Sequence, residues 1–330
     1  MSAPDTPLAT AWARRPSNAV SRLGGRRLLL LSSRDLLAAA ALEDALLVAL
    51  VAPGPAAMLG FARAARDVAA PLLLARPSGS ADEKGPEEAR DDASFVESAI
   101  QAADEVRFFG PMAFLKEPPR KGSAVPERDR ILREIETGFT GVAVTARPDT
   151  AASARDAALV AAQVCQRELG LEIVPLGGSP ELGLELVRQL ASRGAPPSAL
   201  RVPDEEGVQA AARASGVALS TTTELSPSAL RERGFRQLVA AGPFLRALHR
   251  AAPRELLERL QSWADDNGAT LEQAAARHQR LLRDLPAKTQ DRLEALCCFE
   301  AMELFERAGA RATAARIAER VGQNAPRDQA

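Results

Sequence analysis

The residue types that carry most enzyme chemistry are scarce in this chain, and their positions limit what it can do. There are two histidines (His249, His278), three cysteines (Cys165, Cys297, Cys298) and four lysines (Lys84, Lys116, Lys121, Lys288). A transition metal is normally gripped by three or four imidazole, thiolate or carboxylate groups converging on one point. Both histidines sit among arginines in amphipathic helical sequence, where an imidazole is ordinarily solvated or partly packed. No metal and no cofactor is expected. Adjacent residues on a helix point about 100° apart, so Cys297 and Cys298 read as small core residues ahead of a redox pair. Three cysteines without a Cys-x-x-Cys pair make no disulfide framework, and a reducing, cytoplasmic setting follows. Schiff-base chemistry needs a lysine desolvated on a strand. The four lysines read as residues of polar loops or a helix start, which disfavours that route.

Whatever chemistry remains has to be positioned by regular elements, and residues 138–178 show which kind. An apolar run from Gly141 to Ala146 is followed by a polar turn with Pro148 and Asp149. Ala154, Ala157, Ala158, Ala161, Cys165 and Leu169 then recur at three- and four-residue intervals, and a second apolar run spans Leu171 to Leu176. Helical periodicity between two short apolar runs is a βαβ unit. Strands covered on both faces read as continuous apolar runs. Further runs occur at Ala45–Ala52, Pro71–Ala75, Val106–Phe109, Ala199–Val202, Gly216–Thr223 and Arg236–Ala241. Eight strands, each followed by a helix, close most naturally into a (β/α)8 TIM barrel of class α/β. An open doubly wound sheet is the alternative, and the absence of a Gly-x-Gly-x-x-Gly turn argues against it.

In such a barrel the active site lies where strands deliver residues into the loops at their C-terminal ends. The polar groups expected there are Arg76, Arg147, Asp149 and Glu224, with Glu181 and Asp204 better explained as first-turn helix acids. A weak phosphate site is arguable at Gly177, Gly178 and Ser179 and at Thr221, Thr222, Thr223 and Gly242, because turns after the last strands can offer backbone N–H groups to an anion. Turn residues and caps without a ligand are the plainer explanation.

With 42 basic and 43 acidic residues the net charge is −1, so nothing favours nucleic acid or an anionic membrane. The longest apolar run near the N-terminus is far short of the roughly 20 residues that span a bilayer. Residues 1–25 hold several arginines with Asp5 as the one acid, and read as a disordered tail ahead of a transit peptide. Residues 26–250 form the barrel. From 251 to 330 the strand signal vanishes, and Leu293, Cys297, Ala301, Leu304, Phe305 and Ala308 fall at helical spacing. This C-terminal helical extension either packs on the barrel wall or joins subunits into a homo- or hetero-oligomer.

Three segments carry a resemblance: FFGPMAF (Phe108–Phe114), GFTGVAVTA (Gly138–Ala146) and GLEIVPLGG (Gly170–Gly178). In their order and spacing they resemble the third, fourth and fifth strands of class II ketose-bisphosphate aldolases, nearest to the tagatose-bisphosphate aldolase subunit termed non-catalytic. Gly110, Pro111, Gly138, Phe139 and Gly177 match as structural positions. The resemblance places the family's catalytic aspartate and metal-binding histidine at Arg107 and Phe108. Its histidine-glycine turns fall on Pro203-Asp204 and the threonine run. Arginine and phenylalanine neither hold zinc nor shuttle a proton near neutral pH. The resemblance therefore implies an aldolase-like barrel of carbohydrate metabolism that has lost metal-dependent catalysis. Such a pseudoenzyme would serve as a non-catalytic or scaffold subunit, with a sugar phosphate or phosphate as ligand. The alternative is a metal-free carbohydrate-phosphate lyase or isomerase working through the mouth residues Arg76, Arg147, Asp149 and Glu224.

Overall fold

The structure is a computed structural model that describes residues 7–77, 86–118, 128–146, 151–175, 180–202, 216–222 and 226–324. Its strands are β1 (Leu29–Leu30), β2 (Leu47–Val51), β3 (Leu72–Arg76), β4 (Pro111–Lys116), β5 (Gly141–Ala146), β6 (Gly170–Pro175), β7 (Ala199–Arg201), β8 (Ala218–Thr221) and β9 (Phe235–Ala240). All pairings are parallel, and the order β4-β3-β2-β9-β8-β7-β6-β5 is closed by a direct β4–β5 pairing. The eight strands β2–β9 thus form the expected (β/α)8 barrel.

The helices in chain order are α1 (Pro7–Ala13), α2 (Ser17–Val20), α3 (Ser33–Leu42), α4 (Pro55–Val68), α5 (Pro86–Glu105), α6 (Arg128–Thr137), α7 (Ala151–Gln166) and α8 (Pro180–Ser192). Then follow α9 (Pro227–Glu232), α10 (Gly242–Ala251), α11 (Arg254–Asn267), α12 (Leu271–Arg277), α13 (Gln279–Arg283), α14 (Ala287–Arg307) and α15 (Ala314–Gln323). Strand side chains alternate between two cores, as period-two geometry requires. Val48, Leu50, Leu72, Leu74, Phe114, Val144 and Ile173 pack outward against the helices. Leu47, Ala49, Val51, Leu73, Ala75, Ala113 and Leu115 face the lumen.

The lumen is sealed from its N-terminal end. Leu29 and Leu30 of β1 pair with Pro111 and Met112, and the Ser33 amide donates to the Thr140 carbonyl at 3.1 Å. β1 therefore lies along the start of β4, and the chain after it is tied to the residue that precedes β5. Helix α3, N-capped by Ser32 through the Arg34 amide, brings Leu36, Leu37, Ala39 and Ala40 against the inward strand residues, and Ile317, Ala318 and Val321 of α15 lie in the same cluster. The approach is close enough to require glycine. A Cβ on Gly170 would stand 1.8 Å from the Ser33 Oγ, and one on Gly141 2.2 Å from it.

Two expectations are corrected, and one alternative is decided. In place of a disordered tail over residues 1–25, α1 and α2 are helical with Ala11 and Ala19 buried. Arg14 grips Asp35 of α3 with two hydrogen bonds of 2.9 and 3.2 Å. The third barrel strand is Pro111–Lys116, not Val106–Phe109; the latter run turns at Arg107, whose φ is +55°, and ends before the strand begins. Of the two placements open to the C-terminal helices, the structure shows the one on the barrel wall. α14 packs along α4 so closely that a Cβ on Gly60 would meet the Glu294 carbonyl at 2.4 Å, and buried Glu300 receives Arg246 and Arg250 of α10 at 2.6 and 3.1 Å. Residues 251–324 thus include part of the wall and, through α15, of the base.

Candidate active site at the barrel mouth

Besides Arg236 of β9, which pairs with Asp44 at 2.8 Å, four charged side chains come from strands that otherwise read as apolar: Arg76, Lys116, Glu172 and Arg201. A charge inside a packed barrel survives only when paired, and the strand register sorts these four into two groups.

Arg76 and Lys116 face outward. The Arg76 Nε donates to Asp92 of α5, and the Lys116 Nζ lies 2.7 Å from the same carboxylate. The Arg76 guanidinium sits 6.0 Å from the Phe95 ring centroid, and its Nη1 is buried without a hydrogen-bond partner. Arg76 was expected among the mouth residues; the structure turns it into the layer between barrel and helices. Lys116, read as a loop residue, is instead the end of β4 and fully buried. It is a desolvated strand lysine, yet it points away from the lumen and is ion-paired.

Arg201 faces inward and crosses the lumen. Its Nε and Nη2 donate to Glu172 at 2.9 and 2.7 Å. The same Nη2 reaches one oxygen of Glu117 at 2.8 Å, and Nη1 donates to the other. Each carboxylate is held by a two-pronged fork, the strongest common arrangement for this pair. Burial alone would lower the Arg201 pKa, but Glu117 and Glu172 overcome it and hold the guanidinium well above the usual arginine value. Gln237 of β9 extends the network from Glu172 at 3.4 Å to the Ser220 hydroxyl of β8 at 3.3 Å. Between this layer and Ser33 and Leu37 of α3 there remains a void of about 10 Å³, at the lower bound for a single water.

This layer is the floor of the mouth. Glu117 and Glu172 are committed to one cation, so neither acts as a general base or a metal ligand while Arg201 stays in place. Among the described residues the mouth does not offer a divalent cation its ligands. The described carboxylates that face the lumen already hold a guanidinium, and the histidines lie elsewhere. His249 is on α10, and His278 follows α12 with its ring 5.2 Å edge-on from Trp263. Burial, with Arg277 and Arg259 nearby, lowers the His278 pKa. Among the described residues no three histidine, cysteine or acidic side chains are grouped as a metal site.

Of the other expected residues, Thr221 is buried at the end of β8, Thr222 is exposed, and Gly242 opens α10. Arg147, Asp149, Gly177, Gly178, Ser179, Thr223 and Glu224 lie outside the described residues, as do Pro203 and Asp204. Arg107 and Phe108, the positions to which the resemblance assigned a catalytic aspartate and a metal-binding histidine, precede β4 at its N-terminal end. They cannot face the mouth. The residues at the mouth end of that strand are Lys116, Glu117 and Pro118, so an acid is present there and an imidazole is not. The network residues Glu117, Glu172, Arg201 and Gln237 were missed from sequence, although a glutamate within GLEIVP and an arginine within ALR are legible signs of paired charge.

No family model and no curated protein matches this chain. Solved structures do. The YdjI aldolase from Escherichia coli K12 superposes with a TM-score of 0.61 at 13% identity, over 86% of this chain and 99% of the other. The fructose-bisphosphate aldolase (Fba) from Campylobacter jejuni superposes with a TM-score of 0.55 at 10% identity, over 86% and 96%. At such identities the likeness speaks for the fold: this chain has the (β/α)8 barrel seen in those aldolases.

Proposed function

We propose that this protein is a cytoplasmic aldolase-fold barrel without metal-dependent aldol cleavage, acting as a non-catalytic or scaffold subunit in carbohydrate metabolism. The observation that carries this reading is the Glu117–Arg201–Glu172 bridge across the mouth. Where a metal-dependent aldolase needs an open cation and a free acid, this chain presents a guanidinium with both neighbouring carboxylates occupied. A sugar phosphate or phosphate is the ligand proposed for the loops above this floor, where Thr221, Thr222 and Gly242 contribute. The metal-free lyase or isomerase alternative loses one of its four residues, because Arg76 is turned outward against Asp92.

Two measurements on the purified protein test the reading. Elemental analysis is expected to find no stoichiometric divalent metal, and a coupled assay with ketose bisphosphates no release of triose phosphate. Retro-aldol turnover abolished by a chelator and restored by zinc would overturn it.

A further inference from the structure

At the end of the barrel opposite the mouth, the segment before β1 folds into a second concavity. It measures about 540 Å³, the size of a small-molecule site. Trp12, Arg15, Leu23, Gly25, Arg26 and Arg27 line it. Three guanidiniums thus face one cleft, and little neutralises them. Arg15 donates its Nε to the Trp12 carbonyl at 3.0 Å and lies 4.7 Å from the Trp12 ring centroid. Arg26 reaches the Leu23 carbonyl at 3.4 Å, and its nearest carboxylate is half-exposed Asp104, also at 3.4 Å. Among the described residues the Arg27 guanidinium has no hydrogen bond or ion pair. The surrounding sequence supplies no remedy, since residues 7–34 contain six arginines and no acid. Arg14 and Arg34 are the two that pair with Asp35.

Like charges gathered in one cleft repel one another, and a multivalent anion relieves the repulsion at every cation it meets. Guanidinium suits this task because its planar fork matches phosphate geometry with two parallel hydrogen bonds. The floor is bare backbone at Gly25, where a Cβ would meet nothing within 4 Å, and the Trp12 and Leu23 side chains give an apolar wall. We propose that this cleft binds a compact polyanion, a small molecule bearing two or more phosphate groups, independently of the mouth.

Trp12 and Trp263 are the two tryptophans of the chain, so a Trp263→Phe protein reports on the cleft through Trp12. That protein is titrated at constant ionic strength with tripolyphosphate, inorganic phosphate and a hexaglutamate peptide, with calorimetry of the unaltered chain in parallel. Tripolyphosphate is expected to bind saturably and more tightly than phosphate. Arg27→Gln and Arg15→Gln should each weaken it by about tenfold, the worth of one charge-assisted hydrogen bond. Exposed Arg254→Gln on α11 should leave it unchanged. Neither heat nor emission change up to millimolar tripolyphosphate would overturn the proposal, as would indifference to Arg27→Gln. Hexaglutamate binding as tightly as tripolyphosphate would overturn it too, by assigning the cleft to an acidic protein segment.

Discussion

Replacing Arg201 by methionine keeps much of the side chain's length but leaves Glu117 and Glu172 in the lumen without the guanidinium they share. Breaking a buried pair by removing one partner costs about 3–5 kcal/mol, because the remaining charges stay desolvated. Urea unfolding checks this: Arg201→Met should lose about that much stability, and adding Glu117→Gln and Glu172→Gln should restore part of it, because the stranded charges are then gone. No recovery would mean that the triad is packing and not charge. Residues at this scale were half-legible from sequence. Glu172 and Arg201 interrupt apolar strands that need a reason for a charge, whereas Glu117 was hidden because its strand was read one run too early.

Helices α4 and α14 are held by a contact at Gly60 that decides between two opposed effects. Alanine for glycine inside a helix is ordinarily worth about 1 kcal/mol of added stability. Here the new methyl group would meet the Glu294 carbonyl at 2.4 Å, the Cys297 Cβ at 2.8 Å and the Cys298 amide at 2.9 Å. None of these is the far end of a flexible side chain. Overpacking of this sort costs about 1–3 kcal/mol, so Gly60→Ala should lower the urea midpoint; a rise would show that the helices separate freely. At the scale of elements the alternation of apolar runs and helical periodicity was legible for the barrel. The β4 error arose because VRFF and MAFL flank the same Gly-Pro pair, and composition cannot say on which side the strand lies. The two-residue β1 and the four-residue α2 are too short to show a period at all.

Across the whole molecule, α1 and α15 meet beneath the barrel. The Pro7 carbonyl stands 1.8 Å from where Gly322 would carry a Cβ, and Arg14 ties the end of α1 to α3. Deleting residues 1–20 strips this cover from the cluster containing Ile317 and Val321 and removes the Arg14–Asp35 pair. Calorimetry should show a lower melting temperature, by about 2 °C for each kcal/mol lost in a chain of this size. An unchanged transition would mean that the base stands without α1. No local pattern announces such an arrangement, because it depends on segments some 300 residues apart coming together.

The pairing of β1 with β4 sets an order of events. Leu29 and Leu30 cannot pair until β4 has been made, and that strand lies some 80 residues further along. On a ribosome this pair of leucines would leave the exit tunnel well before the partners that receive them. One of the earliest pieces to be made would have to wait, unpaired, for a strand made much later.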